Sequence, residues 1–445
     1  MDYIYLENWM TLLSSALGPK LLRNTFIPGS HDSNTYTVSN IKTLTSFGKC
    51  QNIPVIDQLK LGVRFLDLRY GDGSTPRSLR DKHGPLKGGD YLLHIKQVKQ
   101  FLLSHPEEFI IINIQEEGNV LPINRKHLIR QLYGILNPYM ITKEDLDSWF
   151  RVETVTFKQI WNTDRRILLF STPHLWADTG ISEETCAKYG IQNQKNMIIS
   201  KWHDVNDIDL LLENNIKCLE LKNQNKNKLF CSQFVFTIQR HPLELATNLF
   251  SFTIPTIHNF VKRLYEGSRL PRYINHNIDK NFNIMLFDYI DYDISLLKLI
   301  TVANSSSKLY IHRLFVGNQD LTKVFKSKAV FNTLYLYNLN NIYEKYKPVF
   351  KAITVIYSYD DRPIRVMITS PYDKSLLVYN NPILFDKEEN SIKGYLVLFK
   401  PTRVHYESLK RDYTDLEIGT MLKSKEYTKC YHIQKNQLIK IPKQG

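Results

Sequence analysis

Along the first 300 residues, short continuous apolar runs alternate with stretches of helical periodicity. "RFLDLR" (Arg64–Arg69), "FIIINIQ" (Phe109–Gln115), "RILLFS" (Arg166–Ser171), "MIIS" (Met197–Ser200), "KCLEL" (Lys217–Leu221) and "NIMLFDYI" (Asn283–Ile290) are each four to eight residues long. Unbroken runs of this length predict strands buried on both faces of a parallel sheet. A further apolar run, Thr25–Ile27, ends in a Pro-Gly pair that reads as a turn.

The intervening stretches read as amphipathic helices. "DYLLHIKQVKQFLLSHP" places Leu92, Ile95, Val98, Leu102 and Leu103 on one stripe, and Pro106 stops it before the next strand. "DVNDIDLLLENN" starts at Asp204 or Asn206 and carries apolar Ile208, Leu211 and Leu212. Seven or eight such β/α units predict an α/β fold, a distorted TIM-type (β/α) barrel over residues 1–300. Helical periodicity after Asp288 is weak, which leaves the end of the barrel open.

After Thr301 the texture changes. "AITVIYS", "IRVMITS", "SLLVYN" and "GYLVLFK" are β-branched and aromatic, with turn signals "YDDRP" and "NNP" between them. Residues 301–445 are therefore expected to form a small antiparallel β-rich domain, with one helix around Asn341–Tyr346 and a boundary near Ala303–Lys308.

Composition adds three constraints. At 43% hydrophobic residues, the 445-residue chain can form a sizeable core. Thr301–Gly445 holds 23 Lys and Arg against 13 Asp and Glu, and so carries +10 of the net +14. That basic excess favours an anionic partner, an acidic membrane face or nucleic acid. The five cysteines, Cys50, Cys186, Cys218, Cys231 and Cys430, form no CxxC pair. This pattern suits a reducing compartment better than a disulfide framework or a structural zinc site. No basic signal-peptide start and no apolar run of about 18 residues is seen, so the chain is expected to be cytoplasmic and at most peripheral to membranes. Trp9, Trp161, Trp176 and Trp202 are read as packing residues.

In an α/β barrel, chemistry sits at the C-terminal ends of the strands. Those ends hold His31 and Asp32 in "IPGSHDSNTY", Asp67 and Arg69 in "GVRFLDLRYGDG", His83 in "DKHGPL", Gln115 to Glu117, and Asp288 in "LFDYID". Taken alone, His31 and Asp32 read equally as a polar loop or helix cap. Taken together, two histidines can divide the work of base and acid, an arginine can grip phosphate oxygens, and carboxylates can orient the imidazoles. The set points to phosphodiester cleavage.

These residues carry a family resemblance. "NTFIPGSHDSNTY", "GVRFLDLRYGDG", "HGPL", "VKQFLLSHPEEFIIINIQ" and "NIMLFDYI", in this order over about residues 8–295, resemble the X-domain of the phosphatidylinositol-specific phospholipase C superfamily. "ENWMTLL", "SKWHDVNDIDLLLE" and "CSQFVFTIQ" resemble X-domain-only proteins of animals. The resemblance implies that His31 deprotonates the inositol 2-hydroxyl, with Asp288 orienting it. It implies that His83 protonates the departing diacylglycerol oxygen, with Asp32 assisting, and that Arg69 binds the phosphate. Asp67 would hold Arg69 or His83, or pair structurally with Arg64 or Arg69.

The calcium-dependent branch of that family has an Asn after the first His and an acid at the position of Arg69. Asp32 and Arg69 therefore imply an enzyme without a metal or other cofactor, as in the bacterial-type branch, although Asp67 and Asp72 remain carboxylates. Two positions depart from the bacterial pattern: Gln115 replaces a lysine, and the second substrate-contacting arginine falls near Ser171 and Thr172. Gln115 is thus the substrate-contacting position whose change bears on head-group choice.

With a lipid substrate, the basic regions are assigned to a phospholipid membrane surface, and no nucleic-acid partner is expected. Two other readings remain: a membrane- or phosphoinositide-binding module without turnover, and a related barrel phosphodiesterase acting on a different head group.

Overall fold

The first strand, β1, is Ile27–Ser30, so the Pro-Gly pair lies inside a strand and not in a turn. β1 is sandwiched between two parallel neighbours, and Pro28 survives there because its carbonyl still accepts the Arg64 N–H at 2.9 Å. The strand donates to its other neighbour through the Ile27 and His31 N–H groups. Gly29 is required by the same close packing: a Cβ there would lie 3.1 Å from the Phe65 ring and 3.2 Å from the Met285 carbonyl oxygen. The bend comes later, at Asp32, whose φ of 43° lies in the left-handed region that Asp tolerates better than most residues.

The structure is a computed structural model that describes residues 6–38, 48–237, 280–292 and 294–304, a few positions between 257 and 277, and short segments beyond 308. Its contacts divide the chain into two units, Met1–Asn304 and Ser305–Gly445.

In the first unit the strands are β1, β2 (Phe65–Asp72), β3 (Leu79–His83), β4 (Leu86–Asp90), β5 (Ile110–Glu116), β6 (Ile167–Ser171), β7 (Ile191–Asn193), β8 (Ile198–Ser200), β9 (Leu229–Phe234) and β10 (Ile284–Phe287). Eight of them form a parallel sheet in the order β7-β6-β5-β2-β1-β10-β9-β8. Helices follow the strands, and the sheet curls into a TIM-type (β/α) barrel. Among the described residues no ladder joins β7 to β8, so the barrel is open at that seam. β3 and β4 form an antiparallel hairpin that extends from β2.

Helix Tyr91–Ser104 starts on an Asp90 cap and buries Tyr91, His94, Ile95, Val98, Phe101 and Leu102. Leu103, expected on that stripe, is 64% exposed because it lies one residue past the buried seam. Helix Ile208–Gln224 starts on Asp207, not Asp204 or Asn206, and it absorbs "KCLEL". Its buried Leu211, Leu212, Asn215, Cys218, Leu219 and Lys222 keep a helical spacing through the run read as a strand. The strand that occupies this place is β9, just downstream. After β10 a helix does form, Ile294–Val302, and it closes the end that weak periodicity had left open.

The second unit is antiparallel in its described parts. Leu309–Val316, Ile353–Tyr359 and Arg365–Thr369 pair in one sheet; Val404–Ser408, Gly394–Phe399, Tyr427–Gln434 and Gln437–Ile441 pair in another. The helix expected around Asn341–Tyr346 lies outside the described residues.

Candidate active site

Strand geometry brings the site together. Asp67 and Arg69 are alternate residues of β2, so both side chains leave the same face. The parallel register sets Asp67 beside Asn113 and Arg69 beside Gln115 on β5. His31 and Asp32 follow β1, Asp288 follows β10, and His83 ends β3. All of these except Asp288 line one cavity of about 630 Å³, together with Cys50, Glu117, Gln194, Ser200, Trp202, Gln233 and Phe236.

His31 stands between two carboxylates. Its Nδ1 lies 2.7 Å from Asp288 Oδ1, and its Nε2 lies 3.6 Å from Asp32 Oδ2. The first contact fixes the ring with Nε2 toward the cavity; the second is too long for a hydrogen bond and leaves Nε2 free to take a proton. Burial would push the His31 pKa down, but Asp32, Asp288 and Asp67 outweigh it and raise the value to about 9. The Gln51 amide holds the strand ends in place by donating to the carbonyls of His31 and Phe287.

His83 sits on the other side of Asp32. Its Nε2 lies 3.2 Å from Asp32 Oδ2 and its Nδ1 2.8 Å from the Gly48 carbonyl. Both ring nitrogens therefore face acceptors, the arrangement that suits a proton donor. Burial pushes the Asp32 pKa up, but Arg69, His31 and His83 hold the carboxyl well below its usual range.

Arg69 is the hub of the negative charge. Its Nε lies 2.9 Å from Asp32 Oδ1, Nη2 3.0 Å from Asp67 Oδ2, and Nη1 2.9 Å from Glu117 Oε1. Burial opposes its charge, but these carboxylates reverse that and raise its pKa further. Asp67 pairs with Arg69; Arg64, the other candidate partner, is fully buried against Glu108 at 2.7 Å. Asp67 Oδ1 also accepts from Asn113 and Gln115, at 3.1 and 2.9 Å. Gln115 is thus tied to the arginine's partner.

Other functional neighbours have no signature in the sequence. Asn34 brackets the Arg69 backbone, accepting from its N–H and donating to its carbonyl, and also donates to Asp81 at 2.6 Å. Asp81 in turn contacts buried His94 at 2.8 Å. This strut ties the loop after β1 to β2 and to the hairpin that carries His83. Glu117 was visible only as a strand end, and Cys50 only as one of five cysteines. Trp202, expected in the core, is 58% exposed at the cavity. Ser171, one of the two residues near which the second arginine was expected to fall, is buried and donates to the Ile114 carbonyl.

Among the described residues, the three groups that could hold a metal are His31, Asp32 and Cys50, whose ligand atoms lie within 4.8 Å of one another. Calcium prefers an all-oxygen shell. Here the oxygen-rich part of the site, formed by Asp32, Asp67 and Glu117, is turned onto the Arg69 guanidinium.

No family model matches the chain. Sequence relatives do. A 1-phosphatidylinositol phosphodiesterase of Listeria monocytogenes is 24% identical over 256 residues, 56% of this chain and 75% of the relative. A protein of the same description from Staphylococcus aureus is 32% identical over 117 residues, 25% of this chain and 34% of the relative. PI-PLC X domain-containing protein 2 of Mus musculus is 25% identical over 201 residues, 38% of this chain and 56% of the relative. The chain thus spans three quarters of the first relative's length and less than two thirds of the other two. Among solved structures, the phosphatidylinositol-specific phospholipase C from Listeria monocytogenes aligns with 68% of this chain and 99% of its own, at 21% identity and a TM-score of 0.48. In its ordered motifs and in these sequence relatives, the chain is similar to proteins of the phosphatidylinositol-specific phospholipase C superfamily, of the X-domain type.

Proposed function

We propose that this chain is a phosphodiesterase that cleaves phosphatidylinositol, or a closely related inositol phospholipid, without a metal. The observation that carries the reading is the row His31–Asp32–His83 across one cavity, with Asp288 behind His31 and Arg69 beside Asp32. His31 Nε2 takes the proton of the inositol 2-hydroxyl, and that oxygen attacks phosphorus. The bond from phosphorus to the diacylglycerol oxygen breaks, and His83 Nε2 supplies the proton that the leaving oxygen needs. The products are a cyclic inositol phosphate and diacylglycerol. Arg69 carries the fixed positive charge that faces the phosphoryl oxygens in the transition state.

Asp67, Asp32 and Glu117 hold Arg69 in one orientation and leave its side chain 19% exposed. With Gln115 on Asp67 and Ser171 buried, the ring contacts fall to uncharged groups of the cavity wall, Gln194, Ser200 and Gln233, and to Trp202.

The membrane is reached peripherally. Trp202, Leu121 and Ile123 are 58%, 53% and 45% exposed, and the latter two follow the C-terminal end of β5. Among the described residues no helix is long and apolar enough to cross a membrane. The basic excess of residues 301–445 adds attraction to an anionic leaflet, roughly 1 kcal/mol per basic residue at the surface.

A second reading, a module that binds inositol lipids without turnover, draws on the Gln115 and Ser171 positions. Release of water-soluble phosphorus from phosphatidylinositol vesicles separates the two. Wild-type protein releases it and His31→Ala does not; no release by the wild type from any inositol lipid overturns the enzyme reading.

A further inference from the structure

Cys50 is a metal-ligating residue of the cavity wall for which the proposed chemistry has no use. It is 1% exposed, yet it borders the cavity and lies beside Asp32, its Sγ 3.7 Å from Asp32 Oδ2. The same oxygen lies 3.6 Å from His31 Nε2 and 3.2 Å from His83 Nε2. Nitrogen, sulfur and oxygen donors therefore converge on one point at the mouth of the barrel. In a tetrahedral zinc site, ligands at roughly 2.0–2.3 Å from the metal stand about 3.3–3.8 Å apart. The His31–Asp32 and Cys50–Asp32 separations fall in that range.

We infer that His31 Nε2, Asp32 Oδ2 and the Cys50 thiolate form an inhibitory site for a thiophilic divalent cation such as Zn²⁺. Three further features fit such an ion. His31 already presents its Nδ1 to Asp288, the carboxylate–imidazole arrangement that fixes a metal-binding histidine with its other nitrogen outward. Asp32 Oδ1 and Asp288 Oδ2 are buried acceptors without a hydrogen bond, although Arg69 Nε stands 2.9 Å from the former. Asp32, Asp67 and Glu117 hold Arg69, and Asp288 holds His31, so acidic side chains outnumber the basic ones they contact.

The donor set selects against calcium and magnesium, which take oxygen shells, and for zinc, which accepts Cys, His and carboxylate together. Binding forms a zinc–sulfur bond and a zinc–nitrogen bond, and releases to solvent the Cys50 proton and any proton held on His31 Nε2. Once bound, the ion takes the lone pair of His31 Nε2 that the proposed reaction needs. The inhibitory effect rests on that reading of function; the binding site does not.

The test is a Co²⁺ titration of the full chain after treatment with chelator. The wild type is expected to develop a thiolate-to-cobalt charge-transfer band in the near ultraviolet. The band saturates at one equivalent and is abolished by added Zn²⁺. Cys50→Ala and Cys50→Ser are each expected to lose it, and His31→Gln to weaken cobalt binding by at least tenfold. No band in the wild type overturns the site, and so does a band that survives in both Cys50 variants, since it then arises from another cysteine. Lipid hydrolysis is measured alongside: Zn²⁺ should suppress it and EDTA restore it, with Cys50→Ala at least tenfold less sensitive than the wild type. Equal sensitivity of the two proteins overturns the inhibitory role. A chain that binds cobalt through Cys50 but cleaves no lipid leaves the metal site standing and overturns the enzyme reading alone.

Discussion

His31 Nδ1 lies 2.7 Å from Asp288 Oδ1, a contact between the loop after β1 and the residue that follows β10, 257 positions later in the chain. It exists because β1 and β10 are hydrogen-bonded neighbours in register, with Ser30 opposite Phe287. A carboxylate at this place aims the imidazole and, with Asp32 and Asp67, makes it more basic against the opposing effect of burial, from the ordinary value of 6.5 to about 9. A base must be neutral to act, so activity of the free enzyme should rise with pH through that value. Asp288→Asn is expected to move the rising limb of kcat/KM to lower pH and to cut kcat by about 10²-fold. A full pH profile of both proteins checks this; a limb that stays in place in the variant removes Asp288 from the role.

The two histidines are not equivalent. Each alanine variant should lose at least ~10²-fold in kcat on the natural lipid. With a substrate whose leaving group is a nitrophenolate, no proton is needed on departure. His83→Ala should then recover most of its rate, while His31→Ala stays impaired. Steady-state rates on the two substrates read this directly, and equal losses on both would reverse the assignment of acid and base.

Arg69→Lys keeps the charge but not the fork. One ammonium cannot reach Asp32, Asp67 and Glu117 together and still face a phosphate. A loss of about 10²-fold or more in kcat is expected, on the scale of removing a donor from a transition-state oxyanion. A kcat within threefold of wild type would show that the guanidinium geometry is not used.

How much of this was legible in the sequence follows from the range of the interactions. The barrel strands were legible because burial on both faces writes continuous apolar runs, as in β2, β5 and β6. His31, Asp67, Arg69, His83 and Asp288 were legible as polar residues at the ends of such runs. "KCLEL" misled because five residues of a helix seam can match a strand when cut from their flanks, and the seam shows only from Leu211 to Lys222. The β3–β4 hairpin stayed hidden because its sequence, "LRDKHGPLKGGD", is polar and half exposed. Asn34, Asp81, Asn113 and Glu117 were not legible as site residues. Their partners lie 35 to 48 positions away, and no local pattern marks an amide as a strut. The Pro-Gly pair signalled a turn by local chemistry, and the packing of β1 against Phe65 and Met285 overrode it.

That packing has its own consequence. Gly29→Ala puts a methyl group 3.1–3.2 Å from the Phe65 ring and the Met285 carbonyl, in the middle of the sheet and one residue before Ser30. The variant is expected to be destabilised by about 1–3 kcal/mol. Urea denaturation of wild type and variant measures it, and unchanged stability would mean that β1 and its neighbours have room the structure does not show.

The central claim is acid–base cleavage of an inositol phospholipid through a cyclic phosphate, with Arg69 in place of a metal. It is tested most directly by the phosphorus-31 NMR spectrum of the water-soluble product, taken after incubating the full chain with phosphatidylinositol vesicles in excess EDTA. The account predicts the resonance of a five-membered cyclic phosphodiester appearing before any inositol monophosphate, at a rate that the chelator does not reduce. A monophosphate formed with no cyclic precursor, or a product signal that disappears with EDTA and returns with calcium, would contradict it.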